Sequence, residues 1–231
     1  MNYIIWQGVK STDIKGLLIC ELPPITKPGM RIKETTIDGI DGSIIEELGY
    51  SSYDRPLLIG LTQNANIDAI VKYFSGNGEV VFSNEADKFY KATIVNQIDY
   101  ARLVRFKTAT VVFRVQPFKY KLDEIPTTIP TSENVYNVWN WGTEISKPLI
   151  HLMGSGTVEC RVNGSSAFSY TFPANETEVY IDSESQDAYL GSVLKNRNMV
   201  GEFPILNSGD NEISFTGTLT SVEIYARSRW I

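Results

Sequence analysis

The chain has 231 residues, of which 42% are hydrophobic, 21% charged and 11% aromatic, a length that accommodates two small cores and a composition ordinary for a globular protein. Its formal net charge of −6 argues against a nucleic-acid binder, because such proteins gain affinity by replacing counterions with Lys and Arg. No apolar run approaches the roughly 18 residues of a membrane-spanning helix, and the start MNYIIWQGVKS has no basic region ahead of an apolar stretch, so a protein made and kept in a cytoplasm is expected.

In chain order, Gly16 to Leu22 is apolar and stops at Pro23-Pro24, which reads as a strand punctuated by a breaker. Residues 31–38 and 43–48 flank the turn-rich Asp38-Gly-Ile-Asp-Gly42 and predict two strands joined by a tight loop, an arm projecting from its domain. Asp38 and Asp41 superficially resemble a calcium loop, but Ile40 breaks the alternation of oxygen ligands that such a loop needs. Ile67, Ile70, Val71 and Phe74 fall at i, i+3, i+4 and i+7, the apolar stripe of one helix. Asn64 or Asn66 can cap its start, and Gly76-Asn77-Gly78 stops it. Strands are predicted at 79–83, 89–98 and 108–115, where β-branched and aromatic residues dominate.

The segment Leu122 to Asn134 has two prolines and no sustained periodicity, as an extended linker would. Charge divides near the same point. Residues 1–130 hold fifteen acidic and fifteen basic side chains, whereas 131–231 hold twelve acidic and six basic. The expected organisation is a first domain over 1–125, a linker over 126–136 and a second domain over 137–231. In the second domain short strand-like runs recur about every ten residues (149–153, 157–162, 168–172, 178–181, 188–190, 212–216 and 221–226), the spacing of an all-β sandwich. Asn163-Gly164 is a hairpin signal, and Gly154-Ser155-Gly156 reads as a turn between strands. The fold class is thus mainly β with one helix in the first domain: a β-barrel or sandwich-like domain followed by a jelly-roll β-sandwich.

Few residues invite chemistry. Cys20 and Cys160 are far apart and have no Cys or His nearby, so two separate reduced core thiols are expected. His151 is the single histidine and cannot build a multi-histidine metal site. It reads as a structural strand residue. Asp182 and Glu184 would face the same way on a continued strand, so general acid–base work or cation binding is conceivable, but a solvated loop is the preferred reading. No cofactor or metal is expected, and no enzyme. Trp139 and Trp141, with Tyr136 and Tyr170, could form a sugar-stacking platform or an inter-domain contact.

An ordered series of short motifs carries more than these periodicities. Ile37-Asp-Gly-Ile-Asp-Gly-Ser43 is followed by Asp54-Arg55, and Gly76-Asn-Gly-Glu-Val-Val-Phe-Ser83 runs into Asp87-Lys-Phe-Tyr-Lys-Ala92. Further on come Asn140-Trp-Gly-Thr143, Ser146-Lys-Pro148, Gly154-Ser-Gly156, Ile181-Asp-Ser-Glu184, Gly201-Glu-Phe-Pro204, Gly209-Asp-Asn211 and Arg227-Ser-Arg-Trp-Ile231. Together they span nearly the whole chain, which resembles the distal tail protein (Dit) family of long-tailed siphovirus phages with Gram-positive hosts.

The resemblance implies a structural subunit of the phage tail tip or baseplate, a hexameric ring at the distal end of the virion's tail, assembled in the host cytoplasm. First domains would form the ring, and galectin-like second domains would decorate it. Such a homo-hexamer would join the major tail tube protein to the tail-associated (Tal) protein and often carries a receptor-binding protein. DNA would pass through without sequence-specific binding, and no membrane is involved. A ring needs a heterologous contact between neighbours. Ile32, Ile37, Ile44, Ile45 and Leu48 on the 31–48 arm are the candidate oligomer interface, pairing with an edge strand of the next subunit. The alternative is a carbohydrate-binding module that recognises host cell-wall polysaccharide through Trp139 and Trp141.

Overall fold

The structure, a computed structural model, describes residues 1–39, 41–130 and 135–231, and for Arg102 the backbone only. The chain divides into two compact units, Met1–Leu122 with Ile231, and Asp123–Trp230.

In the first unit the strands are β1 (Ile4–Trp6), β2 (Val9–Lys10), β3 (Leu17–Glu21), β4 (Met30–Thr35), β5 (Ile44–Tyr50) and β6 (Tyr53–Leu61). Helix α1 (Ile67–Tyr73) precedes β7 (Asn77–Phe82) and β8 (Lys88–Ile94), and α2 (Tyr100–Phe106) precedes β9 (Thr108–Lys121). One antiparallel sheet runs in the order β2-β1-β7-β8-β9-β6-β3, while β4 and β5 pair only with each other among the described residues. Alternation along β6 and β9 sends Leu57, Ile59, Leu61, Val111, Phe113 and Val115 into one core with Ile4, Trp6, Phe82 and Tyr90. Phe113 is its centre, meeting the rings of Trp6, Phe74 and Phe82 edge-on at centroid distances of 5.2, 6.4 and 5.8 Å.

Helix α1 forms where the apolar stripe predicts it. Asn66 is the cap, its side chain accepting from the Ala69 amide at 3.1 Å. Ile70 and Phe74 are buried, whereas Val71 is exposed, so the stripe is narrower than its spacing suggests. Helix α2 is a second helix where sequence periodicity predicts only one. Among its described side chains only Leu103 is fully buried, with Tyr100 packed partly against the same core, and two anchors three residues apart leave little periodic signature.

The second unit contains β10 (Thr127–Ile129), β11 (Val135–Asn140), β12 (Leu149–Val162), β13 (Ser165–Thr171), β14 (Glu178–Asp182), β15 (Asp187–Leu190), β16 (Val193–Leu194), β17 (Met199–Gly201) and β18 (Gly209–Tyr225). Part of the segment expected as a linker is strand: Thr127–Ile129 pairs with Val222–Ile224 of β18, and Ile129 is buried. Residues 131–134 of that segment lie outside the described residues.

The long strands β12 and β18 organise this unit. Residues 149–153 of β12 pair with β14, and residues 157–162 pair with β13. Residues 209–214 of β18 pair with β11, and 222–224 with β10. The register between β12 and β18 slips after Met153 and again after Ser155, so the sheet bends there into two halves. Ile150, Leu152, Val179 and Ile224 from one half share a single core with Val138, Val158, Phe168 and Ile213 from the other, so the halves face each other as a β-sandwich. Gly154-Ser155-Gly156, expected to separate two strands, is instead a bend within one. A Cβ on Gly154 would lie 2.3 Å from the Thr218 carbonyl oxygen, and Gly217 sits at φ +111° with a Cβ position 2.4 Å from the Thr157 oxygen. Only glycine fits both places. Asn163 and Gly164, both at positive φ, form the expected hairpin turn between β12 and β13.

Candidate functional site

The β4–β5 arm is the part of the first unit least explained by its own core. Every residue of β4 and β5 is exposed apart from the partly buried Tyr50. Ile32, Ile37, Ile44, Ile45 and Leu48 are between 45% and 59% exposed. Ile32 lies on β4, Ile37 just beyond it, and Ile44, Ile45 and Leu48 on β5. Gly39 and Gly42 supply positive φ in the turn, whose Ile40 lies outside the described residues. Ile32 is opposite Glu47 and Glu34 opposite Ile45, whereas Lys33 is opposite Glu46 and Thr35 opposite Ile44. Partners in an antiparallel pair project to the same side. One face of the ribbon therefore carries Ile32, Glu34, Ile45 and Glu47, and the other carries Lys33, Thr35, Ile44 and Glu46. An exposed ribbon with apolar side chains on both faces and, among the described residues, two unpaired edges is a surface in need of a partner.

The base of the arm is held firmly. The Ser51 amide donates to the Gly29 carbonyl at 2.8 Å, and the Tyr50 ring meets Phe118 edge-on at 6.0 Å. Arg55, buried on β6, donates from Nη2 to the carbonyls of Pro23 and Pro24 at 3.3 and 3.2 Å, fixing the segment that leads into β4. Its guanidinium lies 4.7 and 4.6 Å from the ring centroids of Phe82 and Tyr90. Nη1 donates to Glu85 at 3.3 Å, and the Tyr90 hydroxyl and Lys119 ammonium each donate to the same carboxylate at 2.6 Å. Burial pushes the Glu85 pKa up, but the hydrogen bonds from Lys119 and Tyr90 and the nearby cations together bring it below its ordinary value. The sequence signal for this cluster is one of parity. Arg55 alternates in step with Leu57, Ile59 and Leu61, a charge placed on an otherwise apolar strand face.

In the second unit Trp139, on β11, and Trp141, just past its end, are 49% and 63% exposed, with ring centroids 5.7 Å apart and planes tilted by 56°. Tyr170 is fully buried and Tyr136 packs against the core, so neither joins the proposed platform. His151 lies in β12, as expected of a strand residue. Its ring stacks on Tyr180 at 4.1 Å, and its nitrogens lie 3.4 and 3.3 Å from the carboxylates of Glu223 and Glu178.

The carboxylates that a sequence reading allows for acid–base work are otherwise occupied. Asp182 accepts from Arg227 Nη1 and Nη2 at 2.6 and 3.0 Å and from the Glu184 and Ser185 amides at 2.8 and 3.3 Å. Burial raises the Asp182 pKa, but these bonds and the arginine charge outweigh it, and the group stays ionised below its usual range. Glu184 lies 3.7 Å from the same guanidinium. Of the two thiols, Cys160 is buried and burial raises its pKa. Cys20 is exposed, which corrects the expectation of two core thiols. It sits near the end of β3, which among the described residues is a sheet-edge strand paired only with β6.

No protein-family model and no curated protein matches the chain. Among solved structures it is similar to the Dit (gp 19.1) protein of phage SPP1, described as a paradigm of the hub adsorption apparatus in phages infecting Gram-positive bacteria. The TM-score is 0.77 at 15% identity, and the match covers all of both chains. The mainly β fold of the chain is therefore similar to that of the SPP1 Dit protein.

Proposed function

We propose that this chain is the structural hub of a phage tail tip, a distal tail protein whose first units close into a hexameric ring. The observation that carries this reading is the β4–β5 arm, an anchored ribbon with five exposed aliphatic side chains, on a chain with the fold of SPP1 Dit. Closure of a ring needs one patch to meet a different patch on the next copy, and a projecting arm supplies the first patch. In this role the ring joins the major tail tube protein to a tail-associated protein and carries a receptor-binding protein. It belongs to the virion and performs no catalysis. Negative-stain imaging of the purified protein tests the proposal. Rings are expected for the natural chain and are lost in Ile44→Lys/Ile45→Lys with the fold intact. Dispersed particles from the natural chain under all conditions would overturn it.

A second reading rests on Trp139 and Trp141. Two exposed, adjacent indoles offer a stacking surface for a sugar ring, which supports recognition of host cell-wall polysaccharide by the second unit.

A further inference from the structure

The arm's two faces differ in charge. Among the paired residues, the face bearing Ile32 and Ile45 carries only acidic charge, from Glu34 and Glu47, whereas the face bearing Ile44 has its Glu46 ion-paired to Lys33 at 3.3 Å. A partner for the first face must offer apolar surface ringed by positive charge. The first unit has such a surface at α2. Val104 and Phe106 are exposed there, and Arg105 and Lys107 are exposed beside them. Next to Phe106 is a groove of ≈ 510 Å³ in which Leu58, Ile98, Phe106 and Ala109 alternate with Gln97, Asp99, Thr108 and Thr110, roomy enough for aliphatic side chains on its Phe106 side.

Placement favours a contact between copies. The arm leaves the sheet next to Tyr53, the first residue of β6, whereas α2 joins it where Gly60 pairs with Thr108 and the Leu61 amide donates to the Lys107 carbonyl at 2.9 Å. The two lie at opposite ends of β6, a strand of nine residues and so about 30 Å long. Donor and acceptor at opposite ends of one unit are what a head-to-tail contact requires.

We infer that the acidic apolar face of the arm docks on the basic apolar α2 surface of a second copy of this chain, with Ile32 and Ile45 covering Val104, Phe106 and the adjoining groove while Glu34 and Glu47 meet Arg105 and Lys107. This inference rests on the ring reading and names the receiving site in it. Complementary charge fixes the register of the contact and disfavours the wrong face of the arm.

The test is a charge swap on the full chain, read by analytical ultracentrifugation over a concentration series. Glu34→Lys/Glu47→Lys and Arg105→Glu/Lys107→Glu each raise the midpoint concentration of assembly at least about tenfold, and combining all four substitutions in one chain restores it. Circular dichroism verifies that each variant is folded. Phe106→Ser, which leaves the charges in place, also weakens assembly. Unchanged assembly in the α2 variants, beside its loss in Ile44→Lys/Ile45→Lys, would put the receiving site elsewhere and overturn this inference while leaving the ring intact. Failure of the four-fold variant to recover would also overturn it. A natural chain that never assembles would instead overturn the ring reading, and this inference with it.

Discussion

Arg55 Nη1 lies 3.3 Å from a carboxylate oxygen of Glu85, and only 1% and 7% of the two side chains are exposed. The pair ties the route into the arm to the core of the first unit, because the same guanidinium holds the Pro23 and Pro24 carbonyls. Removing Arg55 leaves Glu85 its Lys119 and Tyr90 partners but takes away the donor to the Pro23 and Pro24 carbonyls, a loss of roughly 1–3 kcal/mol. Arg55→Met is expected to lower stability by about that amount in chemical denaturation. Limited proteolysis should also show faster cleavage around residues 22–29 than in the natural chain.

Acid should weaken the protein through two carboxylates. Glu85 and Asp182 both have folded-state pKa values below their ordinary 4.5 and 3.8. In each case burial opposes the shift, and the cations and hydrogen-bond donors around the group prevail. A depressed folded pKa means that the stabilisation is fully present above the ordinary value and is lost as pH falls through the folded one. Stability should therefore be level from neutral pH to about pH 5 and fall below about pH 4. Glu85→Gln should have a shallower acid limb than the natural chain, as measured by melting at a series of pH values.

Much of the fold was legible in the sequence, and the failures share a cause. Helix α1 showed because Ile70 and Phe74 recur at helical spacing onto one core, and the arm showed because β-branched residues flank a glycine-bearing turn. Helix α2 did not, because among its described side chains only Leu103, with the partly buried Tyr100, faces the core. The two long strands of the second unit read as four short ones, since Gly154 and Gly217 interrupt the alternation where the sheet bends. Tyr170, one of four aromatics that could form a sugar platform or a packing contact, is sent inward by strand parity with Phe168. The Arg55–Glu85–Lys119 cluster joins residues 30 and more positions apart, and no local pattern records such a meeting.

The bend glycines give a sharp stability test. Gly217→Ala places a methyl group against the Thr157 carbonyl oxygen at a φ that L residues rarely adopt. A loss of about 3 kcal/mol is expected, compared with little change for Gly164→Ser, where the Cβ position is open and only the turn's positive φ is strained. Calorimetry of both variants measures the contrast.

The indole pair separates the two functional readings. If the second unit reads cell-wall sugar, Trp139→Ala/Trp141→Ala should weaken binding to host-wall polysaccharide about tenfold, or about 1.4 kcal/mol. The hub reading requires only that assembly survive the substitution. Pull-down on purified wall fractions, with ultracentrifugation of the same sample, reports both. A natural chain that binds no wall fraction removes the sugar reading.

Most direct of all is the mass of the natural protein in solution, by native mass spectrometry across a wide concentration range. A projecting ribbon with Ile44 and Ile45 each 59% exposed should be covered by neighbouring copies, giving a species at six times the monomer mass that Ile44→Lys/Ile45→Lys reduces to monomer. A single monomeric species at every concentration, identical in the natural and substituted chains, would contradict the assignment of this protein as a ring-forming hub.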